Sequence, residues 1–268
     1  MKSAESHHTT KPSAHPHGWQ QDDSALIPRE RSLLIAWWIA IVLAVVFIVG
    51  AAVFKPDPYW EIIQFIGDGL VVTFQITIVS MTFALLLGLI AGLGRTATNS
   101  FFNTLASLYV EVIRGIPLLA QLFWIYYAMS RFIRLGPQVS AVLGLTICYG
   151  AYIGETFRGG IQSIPKGQVH SAYALGLTYG QTMGLVILPQ AFRNMLPVLL
   201  TQTIVLFQDT SLVYVISATD FVGAAAKIAQ RDSRLVEMYL FVALVYFLLC
   251  YTLSSLVRQL QKRLAVGR

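Results

Sequence analysis

Charge is what this sequence has least of. Only 12% of its 268 residues are Asp, Glu, Lys or Arg, about half the share usual in a soluble domain, which argues against a globular protein in water. Cysteine is scarce as well. Cys148 and Cys250 both fall in apolar stretches, with no CxxC or Cys/His pairing, so a thiolate metal site has no ligands to draw on. No Gly-x4-Gly-Lys-Ser/Thr run occurs, so the chain lacks that phosphate-cradling loop. Nor is there a Ser/His/Asp, paired-carboxylate or metal-ligand constellation that would make it a catalyst. The absence of an evident internal repeat removes the usual signature of an inverted-repeat, ion-coupled carrier.

What the sequence has is apolar length. Hydrophobic residues make up 56% and mean hydropathy is +0.64. A hydrocarbon core about 30 Å thick takes about 20 helical residues to cross, and six runs approach that: Ser32–Phe54, Gly69–Gly94, Thr104–Ser130, Leu135–Phe157, Leu196–Ser217 and Met238–Val257. These predict an all-α, polytopic membrane protein. The third run is compromised by Glu111 and Arg114. The first has no small-residue cleavage site and exceeds a signal-peptide core, so it reads as a retained helix. Before it, residues 1–31 read as a disordered tail, whose His7, His8, His15 and His17 match no metal-site spacing.

The net charge of +6 reports orientation rather than nucleic acid. Of nineteen Lys and Arg, twelve fall on the side of the N-terminus, six on the other, and Arg114 within a span, which predicts both termini in the cytoplasm. On that side lies SAYALGLTYGQTMGLVILPQ, Ser171–Gln190, a run without Lys, Arg, Asp or Glu that is too rich in Gly, Gln and Thr for a span. Val169, Ala172, Leu175, Gly176, Tyr179, Met183 and Val186 recur three and four apart, predicting a helix with a thin apolar stripe that ends at Pro189. Small residues on such a stripe suit close docking against another protein; a helix lying on lipid headgroups is the alternative.

Ala172, Gly176, Val186, Leu188 and Pro189 in this run resemble the EAA loop of binding-protein-dependent ABC import permeases. LYVEVIRGIPLLAQLFWIYY (108–127), AYIGETFRGGIQSIPKGQ (151–168) and LPQAFRNMLPVLLTQTIVLFQDTSLVYVI (188–216) are similar to the polar amino acid branch of that family, and within it to glutamate/aspartate importers. The resemblance covers about 69–265. It implies a five-helix permease domain, here 62–265, with the EAA loop at about 159–195 and an additional helix at 32–54. It also implies a pair of permease subunits, a dimer of ATPase subunits that bind ATP and Mg2+, and a periplasmic solute-binding protein. His170, Ala172, Leu175, Gly176, Leu188 and Pro189 become the expected ATPase-coupling residues, although His170 stands where the motif has Glu.

Ionisable groups inside a span are costly, at about 2.5 to 3.5 kcal/mol on insertion scales, and usually face a cavity or one another. Asp209, with Gln208, Thr210 and Ser211 beside it, is expected on a substrate path, where a carboxylate meets an α-ammonium and hydroxyls meet a carboxylate. A buried pair with a basic residue is the structural alternative. Arg114 offers a planar fork to a carboxylate, or an ion pair to Glu111 three residues earlier. Glu155 and Arg158 share that spacing and are expected to form a structural ion pair. Glutamate or aspartate suits an Asp209 and Arg114 pair; glutamine or another polar amino acid is the alternative. A secondary carrier, which would work without an ATPase, and a purely structural anchor are the rivals outside this class.

Overall fold

Apolar runs without water to satisfy their backbone groups have one local solution, the α-helix, and the computed structural model contains only helices and their connections among the described residues. It describes the backbone of residues 30–54 and 56–265, and side chains over 37–261 except at 47, 51, 52, 54–66 and 130. The expected tail lies outside these residues up to position 29, and its four histidines with it. The chain divides at Val45–Val46 into two units, inside α1 (Glu30–Phe54), which coincides with the predicted first span. The first unit holds the beginning of that helix.

The second unit begins within α1 and continues with α2 (Pro56–Thr96), α3 (Ser100–Gly115), α4 (Leu118–Phe123) and α5 (Pro137–Gln162). Then come the short α6 (Lys166–Ala174) and α7 (Tyr179–Gln181), α8 (Leu188–Asp209), α9 (Phe221–Arg231) and α10 (Leu235–Ala265). Its centre is the seam between α2 and α5, which small residues bring together. A Cβ placed on Gly88 would come within 2.4 Å of Ile153, and one on Gly92 within 2.4 Å of Phe157. Gly154 meets Ala91 from the other side. Two glycines four apart on each helix, Gly88 and Gly92 facing Gly150 and Gly154, form the small-residue surfaces that allow backbones to approach in a membrane. Leu122, Leu145, Ile153, Leu206 and Ile216 fill the core around the seam.

Among the described residues four helical runs are long and apolar enough to cross a membrane: 67–96, 137–162, 179–216 and 235–261. The predicted third span is instead a bent pair, 100–115 and 118–128, turning by 103°. Pro117 has no N–H to give and forces Ile116 to extended dihedrals (φ −108°, ψ 129°). The carbonyls this exposes are satisfied locally, since the buried Gln121 amide donates to Ile113 and Ile116 oxygens at 2.9 and 2.8 Å. The predicted fifth span, Leu196–Ser217, begins 17 residues too late, because helix continues from Tyr179.

The expected single helix through Val169–Val186 is likewise two. α6 ends where Gly176 adopts φ +79°, its N–H bonding Tyr173 O (2.9 Å) while Leu177 N–H reaches Ala172 O (3.2 Å), a Schellman C-cap. Thr178 and Gln181 then cap each other's backbone to start the next helix. That helix is not stopped by Pro189. A π-helical stretch, Thr182–Ile187, precedes the proline and accommodates its missing donor, and α8 carries on. α8 gives way to a 3-10 stretch, Thr210–Ile216, and the chain turns at Ser217 (φ 63°) into α9, a largely buried helix against α2 and α10 that lies between the fifth and sixth predicted spans.

Candidate functional site

Two polar groups of side chains lie along α5, one shared with the end of α8 and the other with α2 and α3. The first is at the end of α8. Asp209 is half-buried, and its Oδ2 accepts a hydrogen bond from the Tyr149 hydroxyl of α5 at 2.7 Å. A carboxylate inside an apolar bundle needs such a donor, and no basic residue pairs with Asp209 among the described residues. Gln208 is exposed and Ser211 half-buried beside it. Thr210, expected on the path, is fully buried and donates to Phe207 O at 2.7 Å, so its hydroxyl is taken up by its own helix.

Two further bonds continue along the antiparallel α5 and α8. Gln202 donates to the Thr156 hydroxyl at 2.9 Å and Asn194 to that of Ser163 at 3.0 Å. Tyr149, Thr156 and Ser163 are seven residues apart, two helical turns each, so one edge of α5 carries a polar rung at every second turn.

The second group is a set of guanidinium groups around Glu155. Its Oε2 accepts from Arg95 Nη1 at 2.7 Å and from Arg158 Nε at 3.1 Å, and its Oε1 accepts from Arg158 Nη2. Arg114 stands further off, 4.0 Å from Glu155. The i,i+3 partner offered to Arg114, Glu111, lies instead 3.5 Å from Arg95. Arg114 is held by an aromatic face, its guanidinium carbon 5.3 Å from the centre of the Tyr152 ring. Tyr152 in turn lies 6.2 Å from the Tyr149 ring. The two groups are thus joined through a pair of tyrosines on α5, which sequence reasoning missed. Their signal was present: Tyr149, Tyr152 and Glu155 stand three apart, a polar and aromatic edge on an otherwise apolar helix.

The third feature is the α6 segment. Ala172 is buried, whereas His170, Gly176 and Pro189 are exposed, Leu175 is 82% exposed, and Leu188 is half-buried at the start of α8. Tyr173 and Tyr179 stand open beside Leu175. These side chains make an exposed apolar knuckle at a helix C-terminus, fixed on both sides by caps.

The sequence matches a family model described as "Binding-protein-dependent transport system inner membrane component" over residues 84–266. The chain belongs to this family. It is similar to the glutamate/aspartate import permease protein GltK of Escherichia coli O157:H7, with 43% identity over 212 residues, covering 76% of this chain and 95% of the relative. The glutamine transport system permease protein GlnP of Escherichia coli K12 is 35% identical over 210 residues, 77% and 96% of the two chains. A crystallised amino acid ABC transporter with histidines superimposes with a TM-score of 0.73 at 34% identity, over 76% of this chain and 95% of that one. The permease is therefore a multi-pass inner-membrane transport subunit and not an enzyme; ATP hydrolysis belongs to a separate subunit. The family implies an ATPase and a solute-binding protein as partners.

Proposed function

We propose that this permease carries a polar amino acid, with glutamate or aspartate as its substrate, from a periplasmic binding protein across the inner membrane. A second permease subunit completes the pathway, and a dimer of ATPase subunits that bind ATP and Mg2+ drives it. Both termini lie in the cytoplasm. The observation that carries this reading is the linkage, through the Tyr149 and Tyr152 rings of α5, of an Asp209 carboxylate with no basic partner among the described residues to an Arg114 guanidinium 4.0 Å from Glu155. Asp209 receives the α-ammonium, with Gln208 and Ser211 beside it, and Arg114 receives a carboxylate. The 43% identity to a glutamate/aspartate permease, against 35% to a glutamine permease, favours the acidic substrates.

The α6 segment is the contact to the ATPase, with the exposed Leu175, His170 and Gly176 forming the knuckle, and Leu188 and Pro189 continuing it into α8; Ala172, expected on that contact, is buried within this subunit instead. Movement applied there crosses the capped turn at Gly176–Thr178 and then reaches Asp209 along the continuous helical run that starts at Tyr179.

The test is to purify the complex with its co-eluting subunits in lipid vesicles and measure ATP hydrolysis with loaded binding protein and each of L-glutamate, L-aspartate and L-glutamine. Stimulation by the first two above the third supports the reading. Stimulation by glutamine alone replaces the substrate, and amino acid uptake by this chain without any ATPase overturns the class. Asp209→Asn is expected to lower uptake about tenfold or more, the loss of one charge-assisted contact, with insertion into the membrane retained.

A further inference from the structure

The set of groups around Glu155 has more donors than acceptors. Three guanidinium groups, Arg95, Arg114 and Arg158, share two carboxylates, Glu111 and Glu155, which leaves one cation in excess. The Glu155 oxygens are engaged by Arg95 and Arg158, at normal hydrogen-bond distances or shorter. Glu111 is mostly exposed and reaches only Arg95. Arg95 Nε–H is buried with no acceptor, although guanidinium donors ordinarily find one when buried. Arg114 is the most exposed of the three side chains, at 41%, and the furthest from its carboxylate. What holds it is the Tyr152 ring, itself 40% exposed. A ring face orients a guanidinium while leaving its in-plane N–H groups free.

We infer that Arg114, oriented by Tyr152, is a carboxylate-receiving subsite, in which an amino acid carboxylate takes the place that the distant Glu155 leaves open. The inference rests on the importer reading and specifies the half of that site that takes the anion. Tyr152 acts here as a positioning residue. It touches Arg114 rather than providing the charge, and the connection through Tyr149 ties it to the Asp209 end of the same face.

The experiment uses the whole complex of permease, ATPase and binding protein in vesicles. Phenylglyoxal modifies accessible arginines, and mass spectrometry reads the extent at Arg114, Arg95 and Arg158 separately. Whichever of L-glutamate, L-aspartate or L-glutamine stimulates ATP hydrolysis is expected to slow modification of Arg114 at least about threefold, while putrescine, which has amines and no carboxylate, leaves it unchanged. Tyr152→Phe, which keeps the ring, is expected to retain the protection. Tyr152→Leu keeps apolar bulk without the ring and should raise the half-protecting concentration about tenfold, the scale of one charge-assisted contact. A merely structural role for Tyr152 would make Phe and Leu equivalent. Equal modification of Arg114 with and without an amino acid that stimulates ATP hydrolysis overturns the subsite and leaves the importer reading standing. If no amino acid stimulates hydrolysis, the importer reading falls, and the subsite with it.

Discussion

Gly176 and Asp220 show how single residues are held to their identities by backbone chemistry. At φ +79° Gly176 occupies a region that costs other L-residues about 1–2 kcal/mol, yet a Cβ there would meet nothing within 4 Å in this chain. Conformation alone therefore explains the glycine within the subunit, and a substitution series separates it from contact with a partner. If only the turn matters, Gly176→Asn, which tolerates left-handed dihedrals, should keep most amino-acid-stimulated ATP hydrolysis while Gly176→Val loses it. If a partner's surface comes close, both should lose it. Asp220 is fully buried and caps α9 by accepting from Gly223 N at 2.8 Å and Val222 N at 3.2 Å. Burial pushes its carboxyl from the ordinary 3.8 up to about 6, against the pull of those N–H groups. A raised value means that the folded protein holds the proton more tightly than the unfolded chain. The stability from this group is complete below about pH 3.8 and lost as pH rises through about 6. Thermal unfolding of the detergent-solubilised protein should show this decline, and Asp220→Asn should flatten it while preserving the cap. Asp220→Ala should cost about 0.5–2 kcal/mol at any pH, through the lost cap.

Helices themselves were easier to read than their ends. Apolar length located α1, α2, α5 and α10, because uncharged runs of about 20 residues have few other uses. The same criterion passed over α9, which is only 11 residues long and amphipathic, and it merged α3 and α4, since hydropathy does not register the dihedral cost of Ile116–Pro117. The stop and start signals around Gly176 were legible, in a glycine followed by Thr178-x-x-Gln181, but the apolar periodicity on either side is nearly in phase and hides the gap. Pro189 misled for the opposite reason: a proline ends a helix only when the turn before it cannot rearrange, and here a π-helical stretch does. The α2–α5 seam was written in Gly88, Gly92, Gly150 and Gly154 at four-residue spacing, a pattern that becomes informative once the two helices are known to be neighbours. Gly92→Leu would drive a side chain into Phe157 and the Gly154 carbonyl, at 2.4 and 3.0 Å from a Cβ. Overpacking of this kind costs about 1–3 kcal/mol, so the variant should melt earlier and accumulate poorly. Gly159→Leu, with nothing within 4 Å, should match the wild type in a thermal-shift assay.

The charge-poor helices of the described residues carry one polar edge on α5 and one exposed loop around Leu175, and the side of the membrane that this loop occupies is testable. Asp209 and Arg114 could be picked out by their cost in hydrocarbon, but their surroundings could not. Which carboxylate each arginine meets depends on α2, α3 and α5 converging, and the pairing at three residues' distance that sequence offers for Arg114 and Glu111 gives way to Arg95. The loop is different, because its role follows from which side of the membrane it occupies. Twelve basic residues against six support the proposed cytoplasmic location, the side on which the ATPase subunit of such an importer acts. The native cysteines, Cys148 and Cys250, are both buried, so Leu175→Cys can be read against a quiet background, at a site 82% exposed. In right-side-out vesicles a membrane-impermeant maleimide should leave this cysteine unmodified, and in inside-out vesicles it should label it. Co-assembly with the ATPase should then slow the labelling several-fold, because the knuckle becomes covered. Labelling from the external medium alone would reverse the topology and detach α6 from any nucleotide-driven subunit. Labelling from the cytoplasmic side without protection by the ATPase would keep the orientation and move the docking surface elsewhere on that face.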